Sequence, residues 1–308
     1  MSLDGSETPG APISAEDAFR RYETIRSRLP TARYPSVARI VPTLSEAAEM
    51  WDGLVLDAFG VLNVGDTPIT GAVARMAELR ARGKRLCVLT NAASYTRQAA
   101  LEKYRKLGFD FNAGEVVSSR DVAATRLEGI APGATWGAIA AEGDGFGDLP
   151  VRVVDAMESP GALDGADAIL FLSTARWTPA WQDRLLRAME RKPRPFVVAN
   201  PDLVAPREGG LSREPGFYAH ELIDRLGVEV RFFGKPYAEG FLDAAAAMGL
   251  DRHRLAMVGD TLHTDILGGA AQGMGTVLIT QHGLFAGHEI APFLTRSGIN
   301  PDIIAGTT

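Results

Sequence analysis

The sequence predicts an α/β protein in which a doubly wound parallel-sheet core carries an inserted α/β cap. Three observations predict it. From about residue 50 onward, short apolar runs alternate with stretches of helical period. Between about Thr125 and Glu229 this alternation changes register, with Gly and Pro at both borders. Polar residues able to do chemistry stand just after four of the apolar runs. The length, 308 residues, suits two units at roughly 100–200 residues per domain, and the 46% of hydrophobic residues suffices for a packed core.

Residues 1–14, rich in Gly, Pro, Ser and Thr, read as a loose lead-in. Ser14-Ala15-Glu16-Asp17 resembles a capping box, and a charged helix is expected to about Arg28. Residues 1–45 form an N-terminal extension. Leu54-Val55-Leu56 reads as a strand. Val73, Met76 and Leu79 keep helical spacing up to Gly83, and Leu86 to Leu89 is the next strand. Leu101, Tyr104 and Leu107 mark a helix ended by Gly108, before the strand Val116-Val117. Ser118, Ser119 and Asp121 are each able to cap the helix that follows.

The cap is expected over 126–229. Its strands read as Ala138 to Ala140, Val151 to Val154, Ile169 to Leu172 and Phe196 to Ala199, with a helix over Pro179 to Glu190. The core, 46–125 and 230–308, then resumes with Val230 to Phe233 and a helix from Ala238 to Met248. The strand Leu255 to Val258, a helix after Thr264 and the strand Val277 to Ile279 complete it.

Bulk properties narrow the function. A net charge of −6 disfavours nucleic acid as partner. Cys87 is the one cysteine, so no intramolecular disulfide forms, and its apolar neighbours suit a buried thiol. The polar, acidic N-terminus shows no signal peptide, and no apolar run approaches the ~18 residues of a membrane span. A cytoplasmic protein without a membrane partner is expected, and a homodimer is compatible with the sequence.

In open parallel sheets, ligands bind beyond the carboxyl ends of strands. Asp57 follows the first core strand, Thr90-Asn91 the second, Gly234-Lys235-Pro236 the run at 230–233, and Gly259-Asp260 the run at 255–258, with Asp265 five residues on. Carboxylates suit a hard cation such as magnesium. A lysine, a hydroxyl and backbone N–H groups suit phosphate oxygens, and phosphoryl transfer runs on such positioning and electrostatics. Each residue alone has a plainer reading: Asp57 or Asp265 as a helix or turn cap, Thr90 as an N-cap, Lys235 as a solvated loop residue. Trp177 and Trp181 read as packing residues.

Four segments in order resemble the motifs of the haloacid dehalogenase superfamily: Leu56-Asp57-Ala58-Phe59-Gly60-Val61-Leu62, Val88-Leu89-Thr90-Asn91, Gly234-Lys235-Pro236 and Val258 to Asp265. Pro68 to Ala72, Asn200-Pro201-Asp202 and Thr264-Asp265-Ile266 are similar to its type-IIA phosphatase branch, which inserts an α/β cap between the second and third motifs. The resemblance implies Asp57 as the nucleophile of an aspartyl-phosphate mechanism. It implies that Thr90 and Lys235 bind the phosphoryl group, with Asn91 helping through its backbone. Mg2+ would be held by Asp57, Asp260 and the backbone carbonyl of Phe59, with Asp265 a direct or water-mediated ligand. The implied substrate is a small phosphorylated metabolite.

Phe59 departs from this pattern. Family phosphatases usually place a second aspartate there, as general acid and base, and such help is worth about 10²–10⁴-fold. A good leaving group, another proton donor such as His263 or His220, a slow enzyme, or a non-catalytic phosphate-binding relative would each explain the change. So would a 2-haloacid-type dehalogenase, which resembles this chain in its aromatic residue but needs no magnesium.

Overall fold

The computed structural model describes residues 13–207 and 210–308; the expected lead-in up to residue 12 lies outside them. The strands in chain order are β1 (Arg39–Thr43), β2 (Gly53–Leu56), β3 (Asn63–Val64), β4 (Thr67–Pro68), β5 (Arg85–Thr90) and β6 (Val116–Ser118). Next come β7 (Thr135–Ile139), β8 (Arg152–Asp155), β9 (Ala168–Phe171), β10 (Phe196–Val198), β11 (Val204–Arg207), β12 (Gly210–Arg213) and β13 (Arg231–Phe232). The last are β14 (Leu255–Gly259), β15 (Gly275–Ile279) and β16 (Ile303–Thr307).

Seven strands form one parallel sheet in the order β1-β16-β15-β14-β2-β5-β6. The chain runs outward from β2 through β5 to β6, then returns to β14 on the other side of β2. The crevice between β2 and β14 is therefore a topological switch point, where such sheets bind ligands. Alternating residues face opposite ways. Leu54, Leu56, Val88 and Val258 pack with Met76 and Leu79 on one face. Val55, Cys87, Leu89 and Met257 pack with Phe241, Ala244 and Met248 on the other.

A second parallel sheet, β13-β10-β9-β7-β8, is built from the chain between β6 and β14. Trp136, Ala138, Leu170 and Val197 on one face join the cluster containing Phe241, so the two sheets share apolar packing through one helical layer. The other face is covered by the helices Pro179–Arg191 and Pro215–Leu226. The antiparallel hairpin β11–β12 projects from this unit. Trp177 and Trp181 stack on each other with ring centroids 6.4 Å apart, so packing is their role.

Several expectations need correction. The run at 230–233 does not rejoin the first sheet: β13 pairs with Val197 and Val198 of the second. An apolar run does not encode which sheet it joins, and here the helix Pro215–Leu226 returns the chain to β10 by a crossover. Within the N-terminal extension, β1 joins the larger sheet as its edge, beside β16. Pro42, which removes a backbone donor, suits an edge strand but disguises it in sequence. The N-terminal helix ends at Thr24, and a separate 3-10 turn covers Arg26–Arg28. The helix after Thr264 begins as a π-turn over Leu262–Ile266 and becomes α-helical only at Leu267–Ala271. Of the three candidate caps after β6, Ser118 is the one used: its hydroxyl accepts from the Asp121 N–H. No helix among the described residues is long and apolar enough to cross a membrane.

The N-terminal helix, Ala15–Thr24, fastens these parts together. Phe19 and Tyr22 pack with Leu203, Leu262, Leu284 and Phe285. The Tyr22 hydroxyl accepts from the Leu203 N–H at 3.1 Å.

His220 lies buried behind this helix, stacked on Phe232 with Nδ1 3.5 Å from Arg28. Burial, with Arg28 and Arg21 adding to it against the opposing Asp224, pushes the imidazole down to about 3. An unfolded chain titrates this group near 6.5, so between these values the unfolded state binds the extra proton and stability falls as pH falls. Denaturant titrations from pH 7 to 5 are expected to show that loss, up to about 1.4 kcal/mol per pH unit from this group. His220→Gln should flatten the slope, and an unchanged slope contradicts the assignment.

Candidate active site

The switch point gathers the expected residues. Parallel pairing carries β2 and β14 side by side, and the Asp57 N–H continues the ladder to the Val258 carbonyl at 2.8 Å. Asp57 and Asp260 therefore leave adjacent strand ends. The π-turn after β14 brings Asp265 back beneath them, with the Thr261 N–H donating to Asp265 Oδ2 at 3.0 Å. Lys235 arrives from the other sheet, just past β13. Its Nζ lies 2.6 Å from Asp57 Oδ1 and 2.7 Å from Asp265 Oδ1.

Asn91 holds the lysine in place. Its Oδ1 accepts from the Lys235 N–H at 2.7 Å, and its Nδ2 donates to the Lys235 carbonyl at 3.0 Å and to Asp202 Oδ1 at 2.8 Å. All of these contacts are made by the Asn91 side chain. Thr90 ends β5 in the same cavity and its hydroxyl accepts from the Ala92 N–H at 3.2 Å. Asp57, Thr90, Asp260 and Asp202 line one cavity of about 510 Å³, bounded on the other side by the hairpin residues Arg207 and Arg213.

Phe59 also lines this cavity. Lys103 Nζ stands 5.0 Å and the Arg207 guanidinium 5.3 Å from its ring centroid. Position 59 is thus an aromatic surface attended by two cations. Neither histidine considered as a substitute proton donor faces the cavity. His263 is buried against Tyr22 and Phe19, with Nε2 2.5 Å from Glu23. His220 sits beside Arg28.

The electrostatics call for more positive charge than Lys235 provides. One oxygen from each of Asp57, Asp260 and Asp265 lies within 4.8 Å of the others. Burial raises the Asp57 carboxyl to about 7, with Asp265 adding to it against the pull of Lys235. Burial and the neighbouring Asp265 and Asp57 also raise the Asp260 carboxyl well above its ordinary range. Burial opposes the Lys235 charge, but Asp265, Asp57 and Asp202 hold that ammonium well above its ordinary range. Three buried carboxylates converging on one point fit a hard divalent cation.

Sequence reasoning missed the support beneath Asp260. Its Oδ2 accepts from the Leu284 N–H at 2.6 Å, at the start of a turn following β15. Gly283 has φ +77°, and a Cβ there would overlap the Asp260 carboxylate. Gly60 approaches the same carboxylate from the β2 side, also at φ +77°. The end of β15 is a fifth strand end, where Gln281-His282-Gly283 was the available signal.

The chain is similar to known proteins over most of its length. A family model described as haloacid dehalogenase-like hydrolase matches residues 54–145, and one described as HAD-hydrolase-like matches 232–305. The glycerol-3-phosphate phosphatase of Gallus gallus is 33% identical over 275 residues, covering 82% of this chain and 88% of its own. The p-nitrophenyl phosphatase of Archaeoglobus fulgidus superposes with a TM-score of 0.69 at 25% identity, over 83% of this chain and 96% of that one. The glycerol phosphate phosphatase of Mycobacterium tuberculosis, solved in complex with magnesium, superposes with a TM-score of 0.60 at 28% identity, over 76% and 69%.

Gly283→Ala should displace Asp260 without unfolding the sheet. Divalent-cation affinity measured by calorimetry is expected to fall about 10–100-fold, as for other losses of ligand support, with the circular dichroism spectrum retained. Undiminished affinity contradicts this role for the turn.

Proposed function

Because the chain belongs to the haloacid dehalogenase-like hydrolases, in their type-IIA capped phosphatase branch, we propose that it hydrolyses a small phosphate monoester through an aspartyl-phosphate on Asp57. The observation that carries this reading is the contact of Lys235 Nζ with both Asp57 and Asp265, beside Asp260, where Asp57 and Asp260 line a cavity. That arrangement offers a nucleophilic carboxylate and a fixed positive charge for the phosphoryl oxygens.

Asp57 attacks phosphorus and the leaving oxygen departs toward the cavity mouth. Lys235 and the Thr90 hydroxyl bind phosphoryl oxygens, and the Asn91 side chain keeps Lys235 in register by bonding the lysine's N–H and carbonyl. Water then attacks the phosphorus of the aspartyl-phosphate and releases phosphate. Mg2+ would be held by Asp57, Asp260, Asp265 and the Phe59 carbonyl, and when bound it supplies positive charge against the phosphoryl oxygens and the carboxylate cluster. The hairpin β11–β12 beside the cavity favours a metabolite over a phosphoprotein. The relatives named as acting on glycerol phosphate make polyol and sugar phosphates the first candidates. The carboxylate cluster also favours phosphoryl chemistry over metal-independent dehalogenation.

Phosphate release should be measured across a panel that includes glycerol 3-phosphate, sugar phosphates and p-nitrophenyl phosphate. Turnover is expected with Mg2+, and background rates with a chelator or in Asp57→Asn. Turnover that survives either change contradicts the mechanism. Tight phosphate and Mg2+ binding without turnover would identify a non-catalytic binding module instead.

A further inference from the structure

With Phe59 in place of the usual aspartate, a proton must still reach the leaving oxygen of an ordinary ester. The titratable groups around the cavity narrow the source. His263 and His220 are turned into packing elsewhere. Glu214 accepts from Arg207, Ser212 and Asn200, so both of its oxygens are already engaged. Tyr95 is 40% exposed, with Lys103 over its ring at 5.4 Å. The Tyr218 ring is packed edge-on against Trp177 and Phe217. Asp57 and Asp260 belong to the carboxylate cluster. Asp202 remains.

We propose that Asp202 is the general acid and base of this reaction, giving its proton to the leaving oxygen and later taking one from the attacking water. This role presupposes phosphoryl transfer to Asp57. The two carboxyls enter one cavity from different sheets: Asp57 from the end of β2, Asp202 from the segment after β10. In-line displacement puts nucleophile and leaving oxygen on opposite sides of phosphorus, so an acid suits the side opposite Asp57. Asp202 is also held in register with the nucleophile. Asn91 Nδ2 bonds Asp202 Oδ1 at 2.8 Å and the Lys235 carbonyl at 3.0 Å, and Lys235 Nζ reaches Asp57. The Asp202 N–H donates to Asn200 Oδ1 at 3.1 Å, which orients its backbone. Among the described residues Asp202 Oδ2 has no protein partner, so it is the oxygen available to carry the proton.

The charges facing Asp202 are Lys235, Asp57 and Asp265, with Tyr22 behind the neighbouring Leu203. Burial pushes its carboxyl up to about 8, against the pull of Lys235 and with Asp57 and Asp265 adding to the rise. It therefore holds a proton at neutral pH, as a general acid requires. In the first step the Asp57 Oδ–P bond forms, the bond from phosphorus to the leaving oxygen breaks, and the Asp202 proton passes to that oxygen. This yields an alcohol and the Asp202 carboxylate. In the second, that carboxylate takes a proton from water as the water oxygen bonds to phosphorus. The Asp57–P bond breaks, leaving inorganic phosphate, free Asp57 and protonated Asp202.

Asp202→Asn keeps an Oδ1 acceptor for Asn91 and removes only the proton. With Mg2+ present, its rate of phenol release from phenyl phosphate in the first turnover, before hydrolysis of the common aspartyl-phosphate limits the rate, should fall about 10²–10⁴-fold. The loss in first-turnover release from 2,4-dinitrophenyl phosphate, whose phenolate leaves unprotonated, should be far smaller, while the later hydrolysis of the aspartyl-phosphate slows alike for both. The native enzyme should lose phenyl phosphate turnover as pH rises through the Asp202 titration, and the variant should lack that limb. Equal losses in first-turnover release from both esters, or near-native release from phenyl phosphate, overturns the role of Asp202 and leaves the phosphatase reading standing. A native protein inert toward both esters overturns the two together.

Discussion

One buried ammonium holds this site together. Lys235 is almost wholly buried and touches Asp57 and Asp265, with Asp260 and Asp202 close by. Four acidic groups around one lysine cost too much in a dry interior unless protons or a cation supply the missing charge. Removing one partner from a buried pair typically costs about 3–5 kcal/mol, because the other charge is left uncompensated. The features that make the site reactive therefore also strain the fold, and much of the surrounding structure serves to hold Lys235 still.

That support comes from separate parts of the chain. Asn91, after β5, clamps the Lys235 backbone on both sides. The π-turn after β14 presents Asp265 to Nζ. The Leu284 N–H after β15 fixes Asp260. The N-terminal helix packs behind both the π-turn and the start of the cavity hairpin, through Tyr22 and Phe19. Because β13 belongs to the second sheet while Lys235 reaches into the first, the lysine also joins the two units at the point of chemistry.

Much of this was legible in the sequence, and the reasons differ by element. β2, β5 and β14 could be read because buried parallel strands are continuous apolar runs, and each ends in a polar residue at the switch point. Asp57, Thr90, Asn91, Lys235, Asp260 and Asp265 do converge, since each ends a strand or stands in the turn that follows one. The sheet of β13 was not legible, because pairing partners are set by three-dimensional packing. β1 was hidden by Pro42 and by its position at an edge. The direction in which His263 points was hidden because the aromatic rings that enclose it come from the N-terminal helix, far away in sequence. The tether of Asp202 through Asn91 spans 111 residues and has no local signature.

Aspartyl-phosphate formation at Asp57 is tested most directly by quenching the enzyme during turnover of a phosphate monoester with Mg2+ and reducing it with borohydride. Acyl phosphates are reduced to alcohols, so peptide mass spectrometry should find homoserine at position 57. The same treatment without substrate should leave aspartate there. Position 57 recovered only as aspartate, or reduction at another carboxylate, while phosphate is being released would contradict Asp57 as the nucleophile.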